Sequence, residues 1–272
     1  MLLSSDFASL HDVAKSNREK YKSGSPFPHI VFDNVFDAAY LDGVLEEFPD
    51  LSVADETYRF SGPSERKLAG KGEGNFGPKT RDLMRFLNSE PFLLFLQELT
   101  GIEETLLPDP YFTGGGQHEI KRDGFLKLHA DFNKHPDLDL DRRINVLIYL
   151  NKSWKEEYGG HLQLWDAEVK SCVQAIAPLF NRMAIFSTTD FSWHGHPDPL
   201  TCPQERSRKS LALYYFSIGR PAEELTGSHR TMFRGRQEGE SRIWKVKQKA
   251  MSVAMDCIPP ILLKSFRALR DR

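Results

Sequence analysis

Cysteine is scarce in this sequence. Three occur in 272 residues, Cys172, Cys202 and Cys257, and none stands in a CxxC pair. An odd number without paired spacing excludes a disulfide framework and a cysteine-rich metal module, and it fits a reducing compartment. Long apolar runs are also missing: nowhere do roughly 18 apolar residues follow one another, so nothing spans a bilayer as a helix. The N-terminus has no apolar stretch of signal-peptide length and is charged from Asp6 onward, so the expected location is cytoplasmic. Nor is there an excess of either charge. The net value is −2, which gives no bulk attraction to nucleic acid or to an anionic membrane surface, and neither is expected as a partner. No repeat or low-complexity segment is present.

What remains is ordinary globular composition, 40% hydrophobic and 27% charged, in a chain long enough for one large domain with extensions. Residues 1–105 read as mostly helical with one strand. PHIVFDNVF (28–36) has strand character. In AAYLDGVLEEF (38–48), Leu41, Val44, Leu45 and Phe48 fall on one helical face. A second helical stretch over 81–101 is interrupted near Pro91 and stopped by Gly101. Residues 55–80 are polar and glycine-rich and read as a long loop. Between 106 and 219 the texture becomes β-rich. Eight short runs separated by turn residues (QHEIK, FLKLHAD, RINVLIYLN, HLQLWD, CVQAIAP, RMAIFST, FSWHGH and KSLALYYFS) predict a sandwich, jelly roll or barrel. Residues 220–272 form a tail, basic and amphipathic from position 244. It is expected to pack as a helix on the same chain or to make a homodimer contact.

Alternation along three of these runs separates aliphatic faces from faces carrying specific polar groups. Lys127, His129 and Asp131 lie opposite Leu126, Leu128 and Ala130. Asn145, Leu147 and Tyr149 lie opposite Ile144, Val146 and Ile148. Arg208, Ser210, Ala212 and Tyr214 lie opposite Lys209, Leu211, Leu213 and Tyr215. A solvated sheet face would carry a Lys/Glu/Thr mixture. These residues instead suit the interior of a small barrel, where such folds keep ligands.

His129 and Asp131 project the same way from one strand, an imidazole and a carboxylate offered together, which suits Fe(II), Mn(II) or Zn(II). A third ligand would come from His194 or His196. His194 is preferred, because Pro197 restricts the backbone at His196 and HPDP begins the next loop. Two histidines and one carboxylate leave three sites open, the arrangement of non-haem Fe(II) oxygenases. Of the remaining histidines, His118 is a candidate for lining the cosubstrate pocket. His135 is a candidate substrate contact, and His161 could face the cavity. His29 reads as structural, His11 and His229 as surface residues.

Taken together, HAD, RRINVLIYLNKSW, GGHLQLWD, NRMAIFSTTDFSWHGHP and RSRKSLALYYFS, in that order, resemble the 2-oxoglutarate/Fe(II)-dependent dioxygenases of the prolyl 4-hydroxylase-like group. The resemblance covers about residues 106–219. It implies a mainly β fold with flanking helices around a double-stranded β-helix (jelly-roll) core, with His129, Asp131 and His194 as iron ligands. It also implies that Arg208 binds the C5 carboxylate of 2-oxoglutarate with Tyr149 as hydroxyl partner, and that Asn145 and Leu162 line the same pocket. The implied cofactors are Fe(II), 2-oxoglutarate and O2, with ascorbate as a possible aid. The implied reaction is hydroxylation of a C–H bond in a peptide or small polar molecule, releasing succinate and CO2. Related halogenases lack the carboxylate that Asp131 supplies, so halogenation is not expected. One feature departs from the group: no tyrosine stands on the strand before His129, where Gln117 or His118 would replace its hydroxyl. Arg208 suits the anchoring role on chemical grounds, since a guanidinium grips a carboxylate through two parallel hydrogen bonds. Lys209 points with the leucines, and Arg206 precedes the strand and is expected to face solvent. Two alternatives stand beside this reading, a cupin-type metalloenzyme that does not use 2-oxoglutarate and a non-catalytic jelly-roll binding module.

Overall fold

The computed structural model describes residues 2–224 and 227–235. The basic tail expected over 244–272, with Cys257 inside it, lies outside the described residues. Helix α1 (Leu10–Lys22) starts where the Ser9 side chain accepts from the Asp12 amide. Strand β1 (His29–Asp33) and helix α2 (Ala38–Glu46) follow, the latter capped by Asp37 through the Tyr40 amide. The stretch read as one interrupted helix is two. These are α3 (Pro78–Leu87) and α4 (Glu90–Thr100), with Pro91 accommodated in the first turn of α4, where its missing N–H costs nothing. Gly101 ends α4 at φ 71°.

Residues 55–80 are not a loop. They contain an antiparallel hairpin, β2 (Thr57–Ser61) and β3 (Glu65–Gly70), paired from Thr57↔Gly70 to Ser61↔Arg66. Its strand signal is the alternation of Tyr58 and Phe60 with polar neighbours. That signal is short and lies among charges and glycines, which mask it. The N-terminal region thus supplies three strands, not one.

The β-rich region forms all eight expected strands. After a short β4 (Leu107–Pro108) come β5 (Gly116–Lys121), β6 (Phe125–Ala130) and β7 (Asp141–Tyr149). Next are β8 (Leu162–Trp165), β9 (Cys172–Ile176) and β10 (Arg182–Ser187). The series closes with β11 (His194–His196) and β12 (Ser207–Ser217), and a short β13 (Met232–Phe233) pairs with β6. The hydrogen-bonded order is β1-β10-β7-β12-β5-β3-β6-β11-β8-β9, antiparallel throughout. Strand β3 bonds both β5 and β6 and so joins two walls into a nearly closed jelly roll.

The helices cover one wall. Ile144, Val146 and Ile148 of β7 and Leu211, Leu213 and Tyr215 of β12 share a buried cluster with Leu41, Leu83, Phe92 and Leu99. Tyr215 also donates to the Leu87 carbonyl at 2.8 Å. This is the aliphatic face read from the sequence. Burying it forces the alternate residues, Asn145, Leu147, Tyr149, Arg208, Ser210, Ala212 and Tyr214, to face the space between the walls. Among the described residues no helix is long and apolar enough to cross a membrane.

Candidate active site

The two imidazoles meet because of strand register. His194 of β11 stands opposite His129 of β6. Gly195 lets the strands close up, since a Cβ there would come within 2.8 Å of the Leu126 and Lys127 carbonyl oxygens. Asp131 follows directly after β6. The ligand atoms of His129, Asp131 and His194 all lie within 4.8 Å of one another, and the structure selects His194 over His196 for this cluster. His129 Nε2 is 3.6 Å from Asp131 Oδ1, and His194 Nε2 is 3.4 Å from Oδ2. Each ring is oriented from behind. His129 Nδ1 lies 2.9 Å from the Lys127 carbonyl and His194 Nδ1 2.8 Å from that of Ser192. Those contacts place the proton on Nδ1 and turn both Nε2 lone pairs inward, as metal ligation requires.

The protonation states suit a cation. Burial, followed by the neighbouring His194, pushes His129 down to about 3, so the ring is neutral. Burial alone would raise Asp131. The Arg142 guanidinium and the two histidines outweigh it and hold the carboxyl well below its ordinary range. Asp131 Oδ2 accepts from Arg142 Nη2 at 3.0 Å and from Asn145 Nδ2 at 2.7 Å. Arg142 itself is 1% exposed, bonds Asn145 Oδ1 through Nε and Nη2, and lies over the rings of Tyr214 (3.5 Å) and Phe132 (4.3 Å). The donor set is what a non-haem Fe(II) site needs.

The other end of the same inner face holds Arg208. It is 4% exposed, donates from Nε to the Gly160 carbonyl at 2.8 Å and from Nη2 to Tyr149 Oη at 3.3 Å. No ion pair to Arg208 is found among the described residues, and burial lowers its pKa. A buried guanidinium without a counter-ion is a site for a carboxylate brought by a ligand. Gly160 is shaped for the contact. Its φ is +75° and a Cβ there would meet Arg208 Cδ at 3.0 Å.

Between these ends lie Leu147, Ser210 and Ala212. Leu147, His118, Asp131 and Tyr214 keep partial exposure, so the interior opens to solvent on this side. Leu162 is 3% exposed and packs with Tyr149, Leu164 and Phe186 beside Arg208. His118 stands opposite Ser210 and so faces inward, with Nε2 3.1 Å from the Gly114 carbonyl; burial and then the Lys67 charge push it down to about 3. Gln117 stands opposite Leu211 and faces the other way, so of the two expected stand-ins for the missing tyrosine only His118 reaches this face.

The remaining histidines divide. His161 binds the exposed Glu156 at 3.1 Å and does not join the site. His135 Nδ1 accepts the Asp137 and Leu138 amides, and its Nε2 meets Thr113 at 3.3 Å; these bonds tie two loops together and leave no nitrogen for a substrate. His29 is structural, holding the Phe27 carbonyl through Nδ1 at 2.9 Å, and His11 is exposed. His229 is not a bare surface residue; it pairs with Asp190 at 2.7 Å. Lys209 lies over the Phe48 ring on the outer face as expected. Arg206 is half-buried over Tyr158 and not simply solvated.

Residues 116–216 match the sequence model of the 2OG-Fe(II) oxygenase superfamily. The matched segment runs from β5 nearly to the end of β12 and contains every residue of the metal cluster and of the Arg208 end. The chain is 26% identical over 206 residues to the mouse prolyl 3-hydroxylase OGFOD1, a match covering 72% of this chain and 34% of that protein. It therefore spans about a third of the length of that relative. Two solved structures share the fold. One is a prolyl hydroxylase from Trichoplax adhaerens in complex with a hypoxia inducible factor peptide (TM-score 0.55, 16% identity, 76% of this chain and 90% of that one). The other is a prolyl-4-hydroxylase from Pseudomonas putida (TM-score 0.55, 14% identity, 78% and 100%). The jelly roll with flanking helices expected from the sequence is the fold that this chain shares with these structures.

Proposed function

We propose that this chain is an Fe(II)- and 2-oxoglutarate-dependent hydroxylase acting on a peptidyl prolyl residue. The observation that carries the reading is the pairing of two incomplete sites on one inner face. One is a cluster of two imidazoles and a carboxylate. The other is the buried, uncompensated Arg208. Iron bound by His129, Asp131 and His194 would supply oxygen activation coupled to oxidative decarboxylation of the cosubstrate, giving succinate and CO2. The chain's own residues do the rest. Nδ1 contacts fix both imidazoles. Arg142 and Asn145 hold Asp131 through Oδ2. Arg208 and Tyr149 receive the distal carboxylate, and Leu147 and Leu162 keep water from the cosubstrate's carbon chain. A cupin-type enzyme or a binding module would leave the Arg208 end without a partner.

The prolyl assignment is supported by the name of the mouse relative and by the site's rim. Arg142 Nη1 is buried with no hydrogen-bond partner among the described residues, beside the rings of Phe132 and Tyr214, a donor and two apolar surfaces suited to a peptide carbonyl and a pyrrolidine ring. The test is succinate release in the presence of Fe(II), 2-oxoglutarate and O2, with ascorbate to keep iron reduced, against a panel of prolyl peptides. Free amino acids and sugars serve as comparison. Stimulation by peptides and a mass gain of one oxygen on proline support the reading; stimulation by another class reassigns the substrate. We further propose a cytoplasmic location and a homodimer, to be checked by fractionation and light scattering.

A further inference from the structure

We propose that His196 is a third protein partner of the cosubstrate's distal carboxylate, beside Arg208 and Tyr149. The inference rests on the hydroxylase reading above. His196 is 4% exposed, yet both of its ring nitrogens are buried without a hydrogen-bond partner among the described residues. The other imidazoles of the interior are provided for: His129 by the Lys127 carbonyl, His194 by that of Ser192, His118 by that of Gly114, and His135 on both nitrogens. A neutral imidazole carries one donor and one acceptor, and buried polar atoms are rarely left unpaired. Among the described residues nothing pairs with His196, and a ligand in the interior is the partner we assign to it.

Position says which ligand. His196 is two residues beyond His194 on β11, their backbones roughly 6.6 Å apart, with a register shift against β6 between them. One strand therefore presents an iron ligand and, about the length of a five-carbon chain away, an unused N–H donor. His196 is not part of the metal cluster. The charges that act on it are those of Arg208 and Lys67, with His129 beyond, so it stands in positive surroundings at the Arg208 end of the interior. An imidazole N–H adds a hydrogen bond to a carboxylate there.

The test uses the full chain, loaded anaerobically with Fe(II). Chelation is followed by its visible absorbance while 2-oxoglutarate is titrated, and separately 2-oxopentanoate, which has the same chelating end and a methyl group in place of the distal carboxylate. His196→Leu is expected to weaken 2-oxoglutarate by about ten- to a hundredfold, the worth of one hydrogen bond to a charged group. It should leave 2-oxopentanoate and iron affinity within about twofold, since neither involves the lost bond. His196→Gln, which keeps a donor, should recover part of the loss. Circular dichroism melting checks each variant, and His196→Val replaces the leucine variant if that one does not fold. Unchanged 2-oxoglutarate affinity overturns the inference and leaves the hydroxylase reading standing. A proportional loss for both keto acids also overturns it, assigning His196 to support of the iron. Absence of any chelate in the parent protein sinks the hydroxylase reading itself.

Discussion

Arg142 places Nη2 3.0 Å from Oδ2 of Asp131, so the one carboxylate of the metal cluster is already half of a buried ion pair. The pair has a consequence for the three ligands. Removing His129 or His194 leaves the Asp131–Arg142 pair in place, whereas Asp131→Ala leaves a guanidinium 1% exposed with its charge partner gone. Breaking a buried pair from one side costs roughly 3–5 kcal/mol. All three alanine variants should lose turnover. Only Asp131→Ala should also lose stability on that scale, which urea unfolding of the metal-free proteins measures. Equal stability of the three would mean that the pair is worth little in the fold.

Arg208→Ala should weaken 2-oxoglutarate at least about a hundredfold, because a carboxylate would then be buried without its cation at a cost of roughly 3–5 kcal/mol, with about 1.4 kcal/mol per tenfold. Arg208→Lys should restore only part, since an ammonium does not reproduce the two-pronged contact. Tyr149→Phe removes a single bond and should cost less, about 1.5–3 kcal/mol. Isothermal titration of the iron-loaded, oxygen-free variants gives all three values. Unchanged affinity in Arg208→Ala would move the anchor elsewhere.

Most of this site is legible in the amino-acid sequence. Period-two alternation assigns His129, Asp131, Asn145, Tyr149 and Arg208 to inner faces, and the walls are regular where those residues sit. Arg142 is not legible, for a definite reason. Strict alternation puts it with Ile144 on the helix-covered face. Instead Tyr215 pairs with Ile144 and Phe216 with Arg142, so Arg143 is an extra residue on β7. That bulge turns Arg142 inward onto Asp131. Lys67 is hidden similarly, because the β2–β3 hairpin that carries it is short, charged and flanked by glycines. Long-range register, which sets His194 against His129, leaves no mark in local sequence beyond the glycine at 195.

Gly195→Ala tests that register. Its methyl group would stand 2.8 Å from two backbone carbonyl oxygens of β6, so β11 must shift away and carry His194 with it. Metal sites tolerate misplacement of only about 0.5 Å. The variant should lose at least about tenfold in iron affinity, the scale seen when ligand support is disturbed. Gly62→Ala, where nothing lies within 4 Å, is the matched control and should bind iron normally. Equal iron binding by the two variants would show that β11 is free to adjust.

Acid should destabilise the metal-free protein early. Burial, then neighbouring positive groups, hold His118 and His129 down to about 3. The unfolded chain therefore binds more protons than the folded one between the ordinary imidazole value of about 6.5 and about 3, and stability rises with pH across that window. The contribution is complete above about pH 6.5. Below it, each imidazole removes up to about 1.4 kcal/mol per pH unit. Urea midpoints in the presence of a chelator should fall steadily from about pH 6.5 to about pH 4. A flat profile over that range would show that these rings ionise freely in the folded state.

One face of this jelly roll is assigned iron at His129, Asp131 and His194, and a keto acid between the iron and Arg208. The most direct measurement of that assignment is anaerobic addition of Fe(II) and then 2-oxoglutarate to the purified chain, watching for the weak visible charge-transfer band of the chelate. The band should appear only with both components, saturate at one equivalent of each, and be absent in His194→Ala. No band in the folded, iron-loaded parent, or a band of full intensity in His194→Ala, would contradict it.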